Sequence, residues 1–214
     1  MTTQATTAGA ARAVPSERDR LVRRARALAW LGMAWHLIEA AVAIGAGLAA
    51  GSMALIGFGA DSLVETAAGV VLLWRLAAPR AACERSERRA QVLIGASFYA
   101  LGAYVAVEAV RSLADAARPE ASAVGIALAV ATLATMPPLA RAKERVAHRL
   151  GSSATRAEGR QNLVCAYLAA ALLVGLSANA VLGWWWADPV TALLIAAVAV
   201  REGRDAWRGR ACCA

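Results

Sequence analysis

The sequence predicts an all-α polytopic membrane protein of six transmembrane helices with both termini in the cytoplasm. Three observations predict it. Of the 214 residues 59 % are apolar; these gather in stretches near 27–49, 52–74, 91–113, 122–140, 163–182 and 186–200; and Lys and Arg crowd into alternate connections between the stretches. Most of the stretches reach the ~20 residues that a helix needs to cross hydrocarbon.

The basic residues set the orientation, because they resist translocation. Arg12, Arg18, Arg20, Arg23, Arg24 and Arg26 precede the first span; Arg75, Arg80, Arg85, Arg88 and Arg89 separate the second from the third; six more lie between the fourth and fifth, and four follow the sixth. Only Arg111 and Arg118 fall on the opposite side, a tally of 21 against 2. An even number of spans follows, and with it two cytoplasmic ends. The formal charge of +8 is thereby explained as topology and attraction to anionic lipid, with no nucleic acid needed. Only Lys143 among the basic residues is a lysine, which with the alanine-rich spans suggests a GC-rich bacterial genome and a bacterial cytoplasmic membrane.

Residues 1–22 form a flexible arm, Thr/Ala-rich and then Arg-rich, and no cleavage site follows a short apolar core, so the first span reads as an uncleaved anchor. The membrane domain covers 23–204 and a short cytoplasmic tail 205–214. The second span continues from "GFGADSLVET" into "AAGVVLLW". In the fourth, Pro137 and Pro138 mark a kink or an end, beyond which helix is expected to continue below the membrane toward the fifth. The sixth is short, and "GWWWADP" at its entry supplies an interfacial aromatic belt of Trp184, Trp185 and Trp186. Cys83, Cys212 and Cys213 lie in cytoplasmic segments and Cys165 in a span, which argues against a disulfide framework.

Ionisable residues inside a span cost ~2.5–3.5 kcal/mol on insertion scales and mark functional sites. Asp61 and Glu65 lie at i,i+4 on one helical face, roughly 6 Å apart. Two carboxylates that close in a poor dielectric do not both ionise cheaply, so the pair holds a proton until a divalent cation displaces it. "AWHLIEAA" adds His36 and Glu39 on one face of the first span, a candidate supporting pair or proton relay. Glu108 lies near the outer end of the third span and reads as interfacial. In "AEGRQNLVCAYLA" Cys165 alone is a small hydrophobe and Gln161 a polar residue at a helix start.

Together these segments resemble the cation diffusion facilitator (cation efflux) family of divalent-metal exporters. The family's second helix carries D-S-x-x-D, matched by "DSLVE"; its fifth carries A-D-x-x-H-x-x-x-D-x-x-x-S, over which "AEGRQNLVCAYLA" lies without a gap; "GWWWADPVTALLIA" is similar to the loop and sixth helix that follow. The resemblance implies a metal site of Asp61, Glu65, Gln161 and Cys165, with Gln161 in place of a histidine and Cys165 in place of an aspartate. His36, Glu39 and Glu158 are implied as supporting residues or proton relays. Zinc accepts such S and O donors, while the thiolate favours softer cations.

The expected function is a secondary transporter exporting a divalent cation, zinc first, in exchange for protons, with no permanently bound cofactor. The family's C-terminal cytoplasmic domain has no counterpart before Ala214, so a homodimer is expected to form through membrane helices. The competing expectation is a membrane metal sensor or scaffold that binds without transport. An enzyme is not expected, since no Ser/His/Asp arrangement, phosphate-cradling glycine loop or zinc-hydrolase motif occurs.

Overall fold

The computed structural model describes residues 17–77 and 83–208. These form six helices: α1 (Glu17–Ala50), α2 (Met53–Ala77), α3 (Cys83–Ala114), α4 (Ala123–Leu150), α5 (Ser153–Leu182) and α6 (Ala187–Trp207). There is no strand among the described residues. Cys212 and Cys213 lie outside them, as does most of the expected N-terminal arm. α1, α2 over 53–70, α4 and α5 are each long and apolar enough to cross a membrane.

Several helices outrun the apolar stretches that announce them. α1 starts at Glu17 and α5 at Ser153, because hydrocarbon limits the apolar run but not the helix, which continues as an arginine-bearing extension. α4 likewise passes through Pro137 and Pro138 and ends only at Leu150, on Gly151 with φ 67°. Proline removes an N–H and leaves carbonyls one turn back without their usual donor, and neighbouring helices let membrane proteins tolerate that.

Large apolar side chains face outward, among them Trp30, Leu37 and Ile38 on α1 and Tyr167, Val174 and Val181 on α5. The interior holds small residues around Phe58, Leu55, Leu172 and Ile195, together with buried His36, Glu39, Asp61, Lys143 and Asn162. That distribution reverses the pattern of a water-soluble protein and suits a chain whose solvent is lipid.

α1 packs chiefly on α2, α4 on α5 and α3 on α6, with α1 also lying along α4. Glycine decides how close α3 comes to α6: a Cβ on Gly203 would stand 3.0 Å from the Gly95 carbonyl oxygen and 3.1 Å from Phe98 Cβ. α4 and α5 are joined only by Gly151 and Ser152, whose hydroxyl caps α5 by accepting from Thr155 N at 3.3 Å.

The outer ends are tied together. Asp188 on α6 accepts from the Ser52 hydroxyl and, at 3.3 Å, from Ala54 N at the start of α2. Glu120 N donates to Ala50 O at 2.8 Å, and Asn179 Nδ2 to Pro119 O at 2.9 Å. Trp184 and Trp186, in the connection between α5 and α6, stack with ring centroids 5.2 Å apart.

Candidate metal centre

The faces of α1, α2, α4 and α5 that carry ionisable and hydroxyl groups converge at one depth. Counting from the outer ties, helical rise puts Glu65 about 18 Å below Met53, His36 about 21 Å below Ala50 and Cys165 about 21 Å below Asn179. α5 makes this alignment possible by continuing outward to Leu182, so its outer end stands above the ties.

One ligand atom each of His36, Glu65 and Cys165 lies within 4.8 Å of the other two, and all three residues are buried. A tetrahedral zinc ion with bonds near 2.0–2.3 Å spaces its donors by about 3.3–3.8 Å. A small contraction brings this trio to that geometry. Imidazole, carboxylate and thiolate are a donor set that zinc accepts.

The two carboxylates beside His36 differ in their partners. Glu39 is fully engaged: it accepts from His36 Nδ1 at 3.1 Å, from the Ser62 hydroxyl at 2.8 Å, from Cys165 Sγ at 3.6 Å and from the Thr132 hydroxyl. One carboxylate thus gathers partners from α1, α2, α4 and α5. Glu65 is freer. Its Oε1 accepts from Gln161 Nε2 at 3.0 Å. Its Oε2 lies 3.0 Å from His36 Nδ1 yet off the hydrogen-bond direction, so it is buried with no hydrogen-bond donor among the described residues. An orphaned carboxylate oxygen beside an imidazole and a thiol is the chemistry of a cation site, and a carboxylate saturated by donors is that of its support.

The implied set of Asp61, Glu65, Gln161 and Cys165 is therefore brought together in part. Glu65 and Cys165 meet. Gln161 touches Glu65 through its amide nitrogen, a contact that orients the carboxylate. Asp61 is buried at 2 % exposure, one turn outward of Glu65 and outside the trio. His36, expected as a supporting residue, stands inside the trio, and Glu39 lies beside it, outside the trio. Glu158 lies about two turns from Cys165 toward the arginine-rich end, 3.3 Å from the Lys143 ammonium.

Three participants carry no sequence signal of their own. Ser62 and Thr132 look like ordinary hydroxyls in apolar helices, although Ser62 belongs to "DSLVE". Lys143 sits in the run "ARAKERVAHR", where it counts as one more basic residue of a cytoplasmic connection, but in the fold it is 1 % exposed.

Residues 29–208 match the cation efflux transmembrane domain. An uncharacterized transporter of Synechocystis sp. is 30 % identical over 179 residues, which are 80 % of this chain and 58 % of that relative. The chain thus spans somewhat more than half the length of the relative. With most of its length matched by that domain, and with buried ionisable groups gathered between lipid-facing helices, the chain belongs to the cation efflux family of multi-pass membrane proteins.

Proposed function

We propose that the protein is a secondary transporter that exports a divalent cation, zinc first, in exchange for protons, and that the cation is held by His36, Glu65 and Cys165. The convergence of these three buried donors from three helices carries the reading. His36 Nδ1 lies 3.1 Å from Glu39 and 3.0 Å from Glu65, and the Cys165 thiol donates to Glu39. A metal needs a thiolate and a neutral imidazole, so a divalent cation that enters a site holding the Cys165 thiol and a His36 imidazolium displaces two protons. The buried charge is then nearly the same in the loaded and empty site, which is the condition for both to cross a low-dielectric interior.

Asp61, one turn nearer the outer ties, is the next carboxylate on the way out. The cysteine thiol admits softer cations such as cadmium beside zinc. A homodimer through the membrane helices is part of this reading and rests on the resemblance; its mass in detergent micelles tests it.

The deciding experiment is zinc flux in proteoliposomes under a pH gradient, with wild type beside Glu65→Gln and Asp61→Asn. Zinc is expected to move toward the acidic side in wild type, and each variant to lose at least tenfold in rate at equal protein content. Zinc binding without flux in wild type would overturn transport and leave a membrane metal sensor.

A further inference from the structure

Lys143 is a charged residue buried where lipid-facing helices meet. Its Nζ donates to Asn162 Oδ1 at 3.0 Å and lies 3.3 Å from Glu158 Oε1, both on α5. From α1, Gly32 presses so close that a Cβ there would stand 2.9 Å from Nζ. From α2, a Cβ on Gly69 would stand 3.6 Å from Glu158 Oε1. α1, α4 and α5 therefore meet at the ammonium, and α2 at the Glu158 carboxylate that pairs with it.

Its position relative to the metal centre follows from helical periodicity. Glu158, Asn162 and Cys165 share one face of α5; Gly32, His36 and Glu39 share one face of α1; Glu65 and Gly69 share one face of α2. On each helix, moving from the trio toward the arginine-rich end leads to a residue at the Lys143 ammonium or its ion pair. On these three faces Lys143 and its ion pair therefore lie between the trio and the arginine-rich end.

An ion pair is not needed merely to hold α4 on α5, since an apolar pair of similar volume does as well or better in a dry interior. A tethered cation between a carboxylate and an amide oxygen does something an apolar pair cannot: it fills a cation position and repels a second cation. We infer that Lys143 is the cytoplasmic gate of the metal centre, its ammonium occupying between Glu158 and Asn162 the position through which an incoming divalent cation must pass. The inference rests on the reading of the centre as a metal passage, and it assigns Lys143 a positioning role, with no part in ligating the metal.

The test is the side-specific reactivity of Cys165, which requires no transport and so fails or succeeds independently of the flux experiment. The full chain carries Cys83→Ser, Cys212→Ser and Cys213→Ser, leaving Cys165 as the only thiol. A membrane-impermeant methanethiosulfonate bearing a trimethylammonium group is applied to inside-out vesicles or to spheroplasts. With Lys143 present Cys165, 0 % exposed, is expected to react slowly from both faces. Lys143→Met is expected to raise the rate at least tenfold from the cytoplasmic face alone, and Lys143→Arg to bring it back near the parent rate. If Lys143→Met does not reach the membrane, Glu158→Gln, which releases the ammonium from its anchor, carries the same expectation. A rate unchanged by either variant, or raised equally from both faces, would overturn the gate and leave Lys143 a packing residue.

Discussion

Glu39 and Glu65 are both buried glutamates beside His36, and their contacts differ sharply enough for the roles proposed for them to be measured. Glu39 accepts from donors on four helices, so it fixes His36 and is already saturated. Replacing Thr132 by Val removes one donor and leaves the shape nearly unchanged. Interhelical hydrogen bonds within membranes average about 0.6 kcal/mol and reach about 1.7, which converts to a loss of about 3- to 18-fold in zinc affinity if the bond serves the site. Glu39→Gln removes the charge that orients His36 and should cost about 10- to 100-fold, the usual effect of a group behind a metal-bound histidine. Because both changes act through one carboxylate, the double variant should fall short of their product by up to the whole Thr132→Val effect, about 0.6–1.7 kcal/mol of coupling. Competition for zinc against a fluorescent chelator in detergent measures all four proteins. Affinities within twofold of wild type for Glu39→Gln, or full additivity with Thr132→Val, would refute the assignment of Glu39 as the orienting carboxylate.

Other consequences are more local. Cys165→Ser should weaken cadmium binding more than zinc binding, because the lost thiolate is the soft donor; competition titrations with the two ions check the order. Zinc binding should release protons from His36 and Cys165 and therefore strengthen as pH rises, which titration calorimetry in two buffers of different ionisation enthalpy will count. Asp188→Ala strands the Ser52 hydroxyl and Ala54 N–H at the start of α2; a loss of ~2 kcal/mol for such groups corresponds to about 4–8 °C in Tm for a chain of this size, with zinc affinity unchanged. Gly203→Val drives a side chain into the Gly95 carbonyl and Phe98, and should lower both the folded yield and the Tm by more than Asp188→Ala does.

The six-helix membrane architecture was legible because lipid demands apolar length, which a sequence displays directly. The centre was legible only as far as cost is visible: Asp61, Glu65, His36 and Glu39 stand out because ionisable groups are rare in apolar runs. Which of them meet is a matter of packing. Asp61 and Glu65 share a face of α2, and only the depth at which α5 crosses decides that Glu65 is the one opposite Cys165. Lys143 was hidden for the opposite reason. Among arginines at a membrane edge another basic residue is unremarkable, and the burial that sets it apart comes from Gly32 on a helix more than a hundred residues away. α1 and α5 run past their apolar stretches because hydropathy measures where hydrocarbon stops, and hydrogen bonding along the backbone does not stop there.

The two-residue joint at Gly151 and Ser152 limits how the cytoplasmic end can move. Lys143 and Glu158 stand only seven and five residues from the helix ends that flank it, roughly 10 Å up the hairpin by helical rise. Near the apex of so tight a bend, α4 and α5 have almost no freedom to part, so the pair rides on one rigid block. On the proposed reading of Lys143 as a gate, access to the centre requires α1, carrying Gly32, to slide or tilt against that block, and the long arginine-bearing start of α1 becomes the lever arm of the motion.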